Sequence, residues 1–67
     1  MMIVQAIDSQ GRRWFRTKDN SWQQHRSAEC HFMTPMLAAK IYKSATISNR
    51  FVSPDDRMEE IEIVTIS

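Results

Sequence analysis

Thr34-Pro35-Met36-Leu37-Ala38-Ala39-Lys40-Ile41-Tyr42-Lys43-Ser44-Ala45 is the stretch on which the fold turns. Threonine is a good helix N-cap, and proline at the first helical position loses nothing by lacking an N–H. Leu37, Ala38, Ile41, Tyr42 and Ala45 then recur at spacings of three and four, an apolar stripe along one side of an amphipathic helix. Lys40 and Lys43 fall off that stripe, and Ser48-Asn49 predicts the end of the helix.

Outward from this helix the periodicity changes to that of strands. Met2 to Ile7 is rich in β-formers and precedes the turn cluster Asp8-Ser9-Gln10-Gly11, in which the chain's single glycine can take positive φ. Arg12 to Thr17 predicts a second strand, with Trp14 and Phe15 on opposite faces, so the two runs form a hairpin. After a turn at Lys18-Asp19-Asn20-Ser21 comes the unpatterned Trp22 to Ser27, and Ala28 to Met33 suggests a third short strand. Beyond the helix, Ser53-Pro54-Asp55-Asp56 favours a turn. Met58 to Ile66 predicts a closing strand with Ile61 and Ile63 inward, Glu60 and Glu62 outward, and a change of phase at Ile63-Val64. The order ββ(β)αβ implies an α+β domain over residues 1–67: an antiparallel sheet of three to four strands with one helix on one face. The first and last strands, being the most apolar, are expected to be central and adjacent.

Composition narrows the function. A chain of 67 residues buries only about 60% of the surface its unfolded form exposes, so its apolar residues are committed to folding. Little is left for a substrate pocket, which needs roughly 300 Å³ or more. His25, Glu29, Cys30 and His31 offer metal-ligand types, yet no second cysteine or third histidine completes a zinc set. No base, orienting group or oxyanion hole is evident around Cys30, and one glycine cannot make a phosphate-cradling loop. The reading is a non-enzyme without metal or cofactor. A lone cysteine, no apolar run of membrane-spanning length and no basic leader fit a cytoplasmic protein with no membrane partner.

Charge is bipolar along the sequence. Residues 1–50 hold eight Arg/Lys against three Asp/Glu; residues 51–67 hold one against five. The leading candidate for a partner-binding surface is Arg12, Arg13, Arg16, Lys18, Trp22 and Arg26. Arginine forks hold carboxylates or phosphates, and tryptophan stacks on a base or anchors an interface. Against this, arginines on a hairpin's outer face are ordinary solubilising residues, and Trp14 or Phe15 belongs to the core. The rival surface is acidic: Asp55, Asp56, Glu59, Glu60 and Glu62. A row of carboxylates can mimic phosphate, although acidic strand edges also simply resist aggregation.

In pattern the chain resembles the small ββ(β)αβ proteins of bacteriophages and mobile elements, some anti-CRISPR proteins among them. The resemblance rests on the opening Ile3-Val4-Gln5-Ala6-Ile7-Asp8 and Gly11, on Trp14-Phe15, Trp22, Ala28 and Phe32, on the Thr34-capped helix with Ala38-Ala39, and on Ile61-Glu62-Ile63-Val64. It implies a phage or prophage protein that binds, and inhibits, a bacterial host protein or nucleoprotein complex in the host cytoplasm. A net charge of +1 sets a protein partner ahead of nucleic acid. The alternatives are a nucleic-acid-binding module using the same arginines and Trp22, and a homodimer that hides part of a thin core.

Overall fold

In the computed structural model, which describes residues 1–66, four strands form one antiparallel sheet: β1 (Met2–Asp8), β2 (Arg13–Arg16), β3 (Trp22–Gln23) and β4 (Met58–Thr65). A single helix, α1 (Pro35–Asn49), precedes β4, and the strand order is β3-β2-β1-β4. This is the expected α+β arrangement, with α1 lying over β1 and β4.

The helix begins as its sequence dictates. Thr34 is extended, and its hydroxyl accepts a hydrogen bond from the Leu37 N–H at 3.2 Å. Ala38 and Ala45 are buried, and Ile41 and Tyr42 pack against a core of Val4, Phe32 and Ala38, with Met2 and Ile61 at its margin. Leu37, placed on the apolar stripe by its spacing, is instead exposed. At the far end Asn49 clamps the helix to β4: its Nδ2 donates to the Met58 carbonyl and its Oδ1 accepts from the Met58 N–H, both at 2.9 Å.

β1 is central and neighbours β4, with Val4 opposite Ile63 and Ala6 opposite Ile61. β4 itself is an edge strand. The hairpin and Phe32 fill the other side of β1, and among the described residues β4 pairs with β1 alone. Ile63 therefore alternates inward as expected yet stays partly exposed. The irregularity in this ladder falls between Ile7 and Asp8, opposite Met58 to Glu60, rather than at Ile63-Val64. Strand alternation sends Ile3 to the helix-free face, where its register partner Val64 and the neighbouring Phe15 share that side and Ile3 is buried.

The third strand is not the expected Ala28 to Met33. Trp22–Gln23 pairs with β2, while Ala28–Cys30 forms a 3₁₀ turn that buries Cys30. Only Phe32 joins the sheet from that segment, exchanging two 2.8 Å backbone bonds with Met2.

Candidate partner-binding surface

The basic hairpin is organised by one carboxylate. β1 ends at Asp8, whose backbone begins the turn: its carbonyl accepts from the Gly11 N–H, and Gly11 takes φ of 80°. The Asp8 side chain then holds the turn from inside. Oδ1 accepts from the backbone N–H groups of Gln10 and Arg12, both at 2.9 Å; Oδ2 accepts from Arg12 Nε at 2.8 Å and Trp14 Nε1 at 2.9 Å. The indole bond, followed by the Arg12 backbone and guanidinium bonds, holds this carboxyl well below the usual carboxylate range despite the opposing effect of desolvation. The same bonds fix Arg12, whose guanidinium stands 5.9 Å from the Trp14 ring centroid.

Two residues further along β2, the next arginine is placed differently. Arg16 pairs across the ladder with Trp22, and its guanidinium lies 5.0 Å from that ring's centroid. The turn that delivers Trp22 is locked by Thr17. Its N–H donates to the Ser21 carbonyl at 2.9 Å, and its hydroxyl bonds the Asp19 carboxylate and accepts from the Ser21 N–H. Asn20, at φ of 66°, supplies the left-handed residue that this turn requires. The Thr17 hydroxyl, foremost among its partners, lowers the pKa of Asp19.

Arg16 is only 5% exposed, and its Nε is shut off from solvent with no acceptor in reach. Among the described residues the one ion pair within 4 Å is Arg12–Asp8, so no carboxylate closes on Arg16. Burial pulls its pKa down, and the charge of Asp19 restores part of that. Arg16 is a cation held in place by an aromatic ring, short of a hydrogen-bond acceptor.

Strand alternation places Trp14, Arg16 and Trp22 on the same face of the sheet as α1, beside the helix rather than beneath it. Arg13 points to the opposite face, across from Ile7, and is exposed. Lys18 is exposed in the turn that carries Trp22, and its N–H donates to the Glu29 carbonyl at 3.1 Å. Arg26 is exposed in the following loop. Gln23 anchors that loop: its Nε2 lies 2.8 Å from the His25 carbonyl oxygen, 2.7 Å from Ser27 Oγ and 3.1 Å from Cys30 Sγ. Thus Arg12, Arg16 and Trp22 are built into one aromatic–cationic face, Lys18 and Arg26 stand free near it, and Arg13 is on the other side. Trp14 belongs to this face and is half-buried. The organiser, Asp8, was legible only as a turn residue; the Asp-x-x-Gly-Arg-x-Trp spacing is its signal once the hairpin register is known.

The acidic candidates divide: three lie on β4, the other edge of the sheet, while Asp55 and Asp56 border a cavity of about 240 Å³ together with Asp8, Arg12 and Trp14. Asp55 and Asp56 sit in the 3₁₀ turn Pro54–Asp56, and Asp56 accepts from Ser53 Oγ at 3.0 Å. Glu59, Glu60 and Glu62 are exposed on β4, where Glu62 accepts from Gln5 Nε2 at 2.7 Å. The charge polarity of the sequence is therefore only partly a polarity across the sheet: the β4 glutamates lie away from β2–β3, but Asp55 and Asp56 face Arg12 and Trp14. Glutamates along an unpaired edge also discourage edge-to-edge association.

Among the described residues no three His, Cys, Asp or Glu side chains converge as a metal site would need. Cys30 Sγ is buried and meets the carbonyl oxygen of His25 at 3.9 Å, not its imidazole. No helix among the described residues is long and apolar enough to cross a membrane.

The fold and this face define a small α+β protein with a pre-set aromatic–cationic surface. Set against known protein families, curated proteins and solved structures, the chain matches none.

Proposed function

We propose that this chain is a non-enzymatic binding protein that captures a carboxylate-bearing surface of a partner protein with the Arg12–Trp14–Arg16–Trp22 face. The observation that carries the reading is Arg16: nearly buried, braced by Trp22, with an unpartnered Nε and no ion-pair partner. Burying a donor without an acceptor costs stability, and with Nε itself closed to solvent a partner carboxylate is met by the outer nitrogens of the guanidinium that Trp22 holds in place. Lys18 and Arg26, exposed in the turn and the loop on either side of Trp22, add cations that pair with the carboxylates of an acidic partner and are needed to retain it. With a net charge of +1, the chain lacks the broad positive field of a nucleic-acid coat, which favours a protein partner. That the partner is a complex of a bacterial host in its cytoplasm, and that binding inhibits it, rests on the pattern resemblance to phage proteins alone.

The test is affinity capture from a nuclease-treated bacterial lysate, comparing the native chain with the double variant Lys18→Glu/Arg26→Glu, whose sites are exposed and tolerate change. A stoichiometric protein retained by the native chain and lost by the variant is the expected result. Capture that survives the charge reversal refutes this surface. Binding that is seen without nuclease and vanishes with it transfers the same residues to a nucleic-acid partner.

A further inference from the structure

We infer that the solvent side of α1 is a second docking surface, separate from the arginine–tryptophan face, and that its occupant is an acidic amphipathic helix of a partner protein. Apolar side chains left in water are unremarkable when scattered, but here they are concentrated. Of the eight large apolar residues exposed in the described chain, six fall between Met33 and Val52. Met33, Met36 and Phe51 are 74%, 72% and 85% exposed. Such exposure of a phenylalanine and two methionines suits adaptable contact with a partner.

Their arrangement is helical. Met36, Lys40, Lys43 and Ile47 follow one another at intervals of four, three and four, diametrically away from the buried Ala38 and Ala45. Phe51 comes four residues after Ile47, and its N–H donates to the Ser48 carbonyl at 3.0 Å, so it prolongs the line past the helix end. The spacing is that of a helix-packing seam, apolar at Met36, Ile47 and Phe51 and cationic at its centre, where Lys40 and Lys43 call for acidic side chains on the helix that packs there. A shallow hollow of about 360 Å³ lies over Ile47, bounded by Lys40, Lys43, Ser44 and Ser48.

Charge then selects the occupant. Between Glu29 and Asp55 the chain has no carboxylate, while Lys40 and Lys43 stand within the seam and Arg50 borders it. A second copy docking helix to helix sets lysines against lysines with no acid to relieve them. A partner helix with acidic flanks and an apolar stripe meets both the methionine–isoleucine–phenylalanine line and the cations.

The experiment titrates the intact protein with a synthetic amphipathic helix of about three heptads, leucine at a and d with glutamate and alanine elsewhere. A matched peptide with lysine for glutamate, and vesicles of phosphatidylserine and phosphatidylcholine, serve as competitors for the interpretation. The acidic peptide is expected to bind, shifting amide resonances of α1 and Phe51 but not those of β2. Ile47→Ser/Phe51→Ser should weaken it roughly tenfold, with an unchanged far-ultraviolet spectrum. Lys18→Glu/Arg26→Glu should leave this titration unaltered, which separates the inference from the carboxylate-capturing face. Absence of binding, equal binding of the lysine peptide, or indifference to Ile47→Ser/Phe51→Ser overturns it. Binding to the vesicles in place of the peptide overturns it too, and makes this a membrane-facing surface.

Discussion

Replacing Arg16 by methionine sets stability and binding in opposition. Methionine keeps the unbranched stem and removes the guanidinium, so the buried Nε donor disappears along with its missing acceptor. An unsatisfied buried donor costs about 1–3 kcal/mol. The loss of the cation over the Trp22 ring, 5.0 Å away, gives back about 0.5–2 kcal/mol, partly recovered because a thioether also packs favourably on an aromatic ring. The balance favours the variant by about 1 kcal/mol. For a chain of 67 residues the unfolding entropy near the midpoint is about 140 cal/mol/K, so Tm should rise by about 7 °C. Thermal unfolding followed by circular dichroism and by tryptophan fluorescence reads this directly. Capture of the partner by Arg16→Met should at the same time be lost. A fall in Tm of more than about 4 °C would refute the reasoning, since it would mean that the guanidinium stabilises the free protein and is not held at a cost for a ligand.

Two further outcomes follow from single hydrogen-bonding groups. Thr34→Ala removes the hydroxyl that accepts from the Leu37 N–H and should cost about 1 kcal/mol, read as a lower urea midpoint with an unchanged m-value. Asp8 is more acidic folded than unfolded. Its ionised form therefore contributes stability that is complete above about pH 4, the unfolded carboxylate range, and is lost as pH falls towards the folded value. Asp8→Asn should lower the urea midpoint at pH 7 and flatten its decline below pH 4. Some decline should persist, because Asp19 is shifted in the same direction, and native and variant profiles running parallel would count against the Asp8 hub.

Local chemistry made much of this fold legible. The Thr34-Pro35 cap and the spacing of Ala38, Ile41, Tyr42 and Ala45 specify α1 from within their own segment. Asp8 to Gly11 likewise carries its turn. What the sequence concealed depends on partners far along the chain. Trp22 looks unpatterned because its strand is two residues long and exists by pairing with Arg16 across a turn that Thr17 locks. Ala28 to Met33 alternates like a strand, but only Phe32 bridges to a strand, and the 3₁₀ turn before it satisfies its own N–H groups locally. The basic residues were visible as a group. Their division into a fixed pair, an opposite-facing Arg13 and two free cations is a matter of register, and so is the burial of Arg16.

The pairing of β1 with β4 has a consequence for the order in which the molecule forms. Gln5 and Glu62, bonded side chain to side chain and opposite one another in the ladder, are 57 positions apart. Until β4 leaves the ribosome, β1 has only the hairpin and Phe32 beside it, and Val4 and Ala6 lack Ile63 and Ile61 as neighbours. The nascent chain can form α1 and the β1–β2 turn early, from local contacts, but the sheet closes only as the last strand arrives. Closing a loop of that length costs entropy that short-range contacts do not return, so folding should run on the slower timescale of proteins rich in distant contacts. A ribosome stalled before Met58 would hold a soft, protease-sensitive intermediate, and the binding face around Arg16 would become firm only on completion.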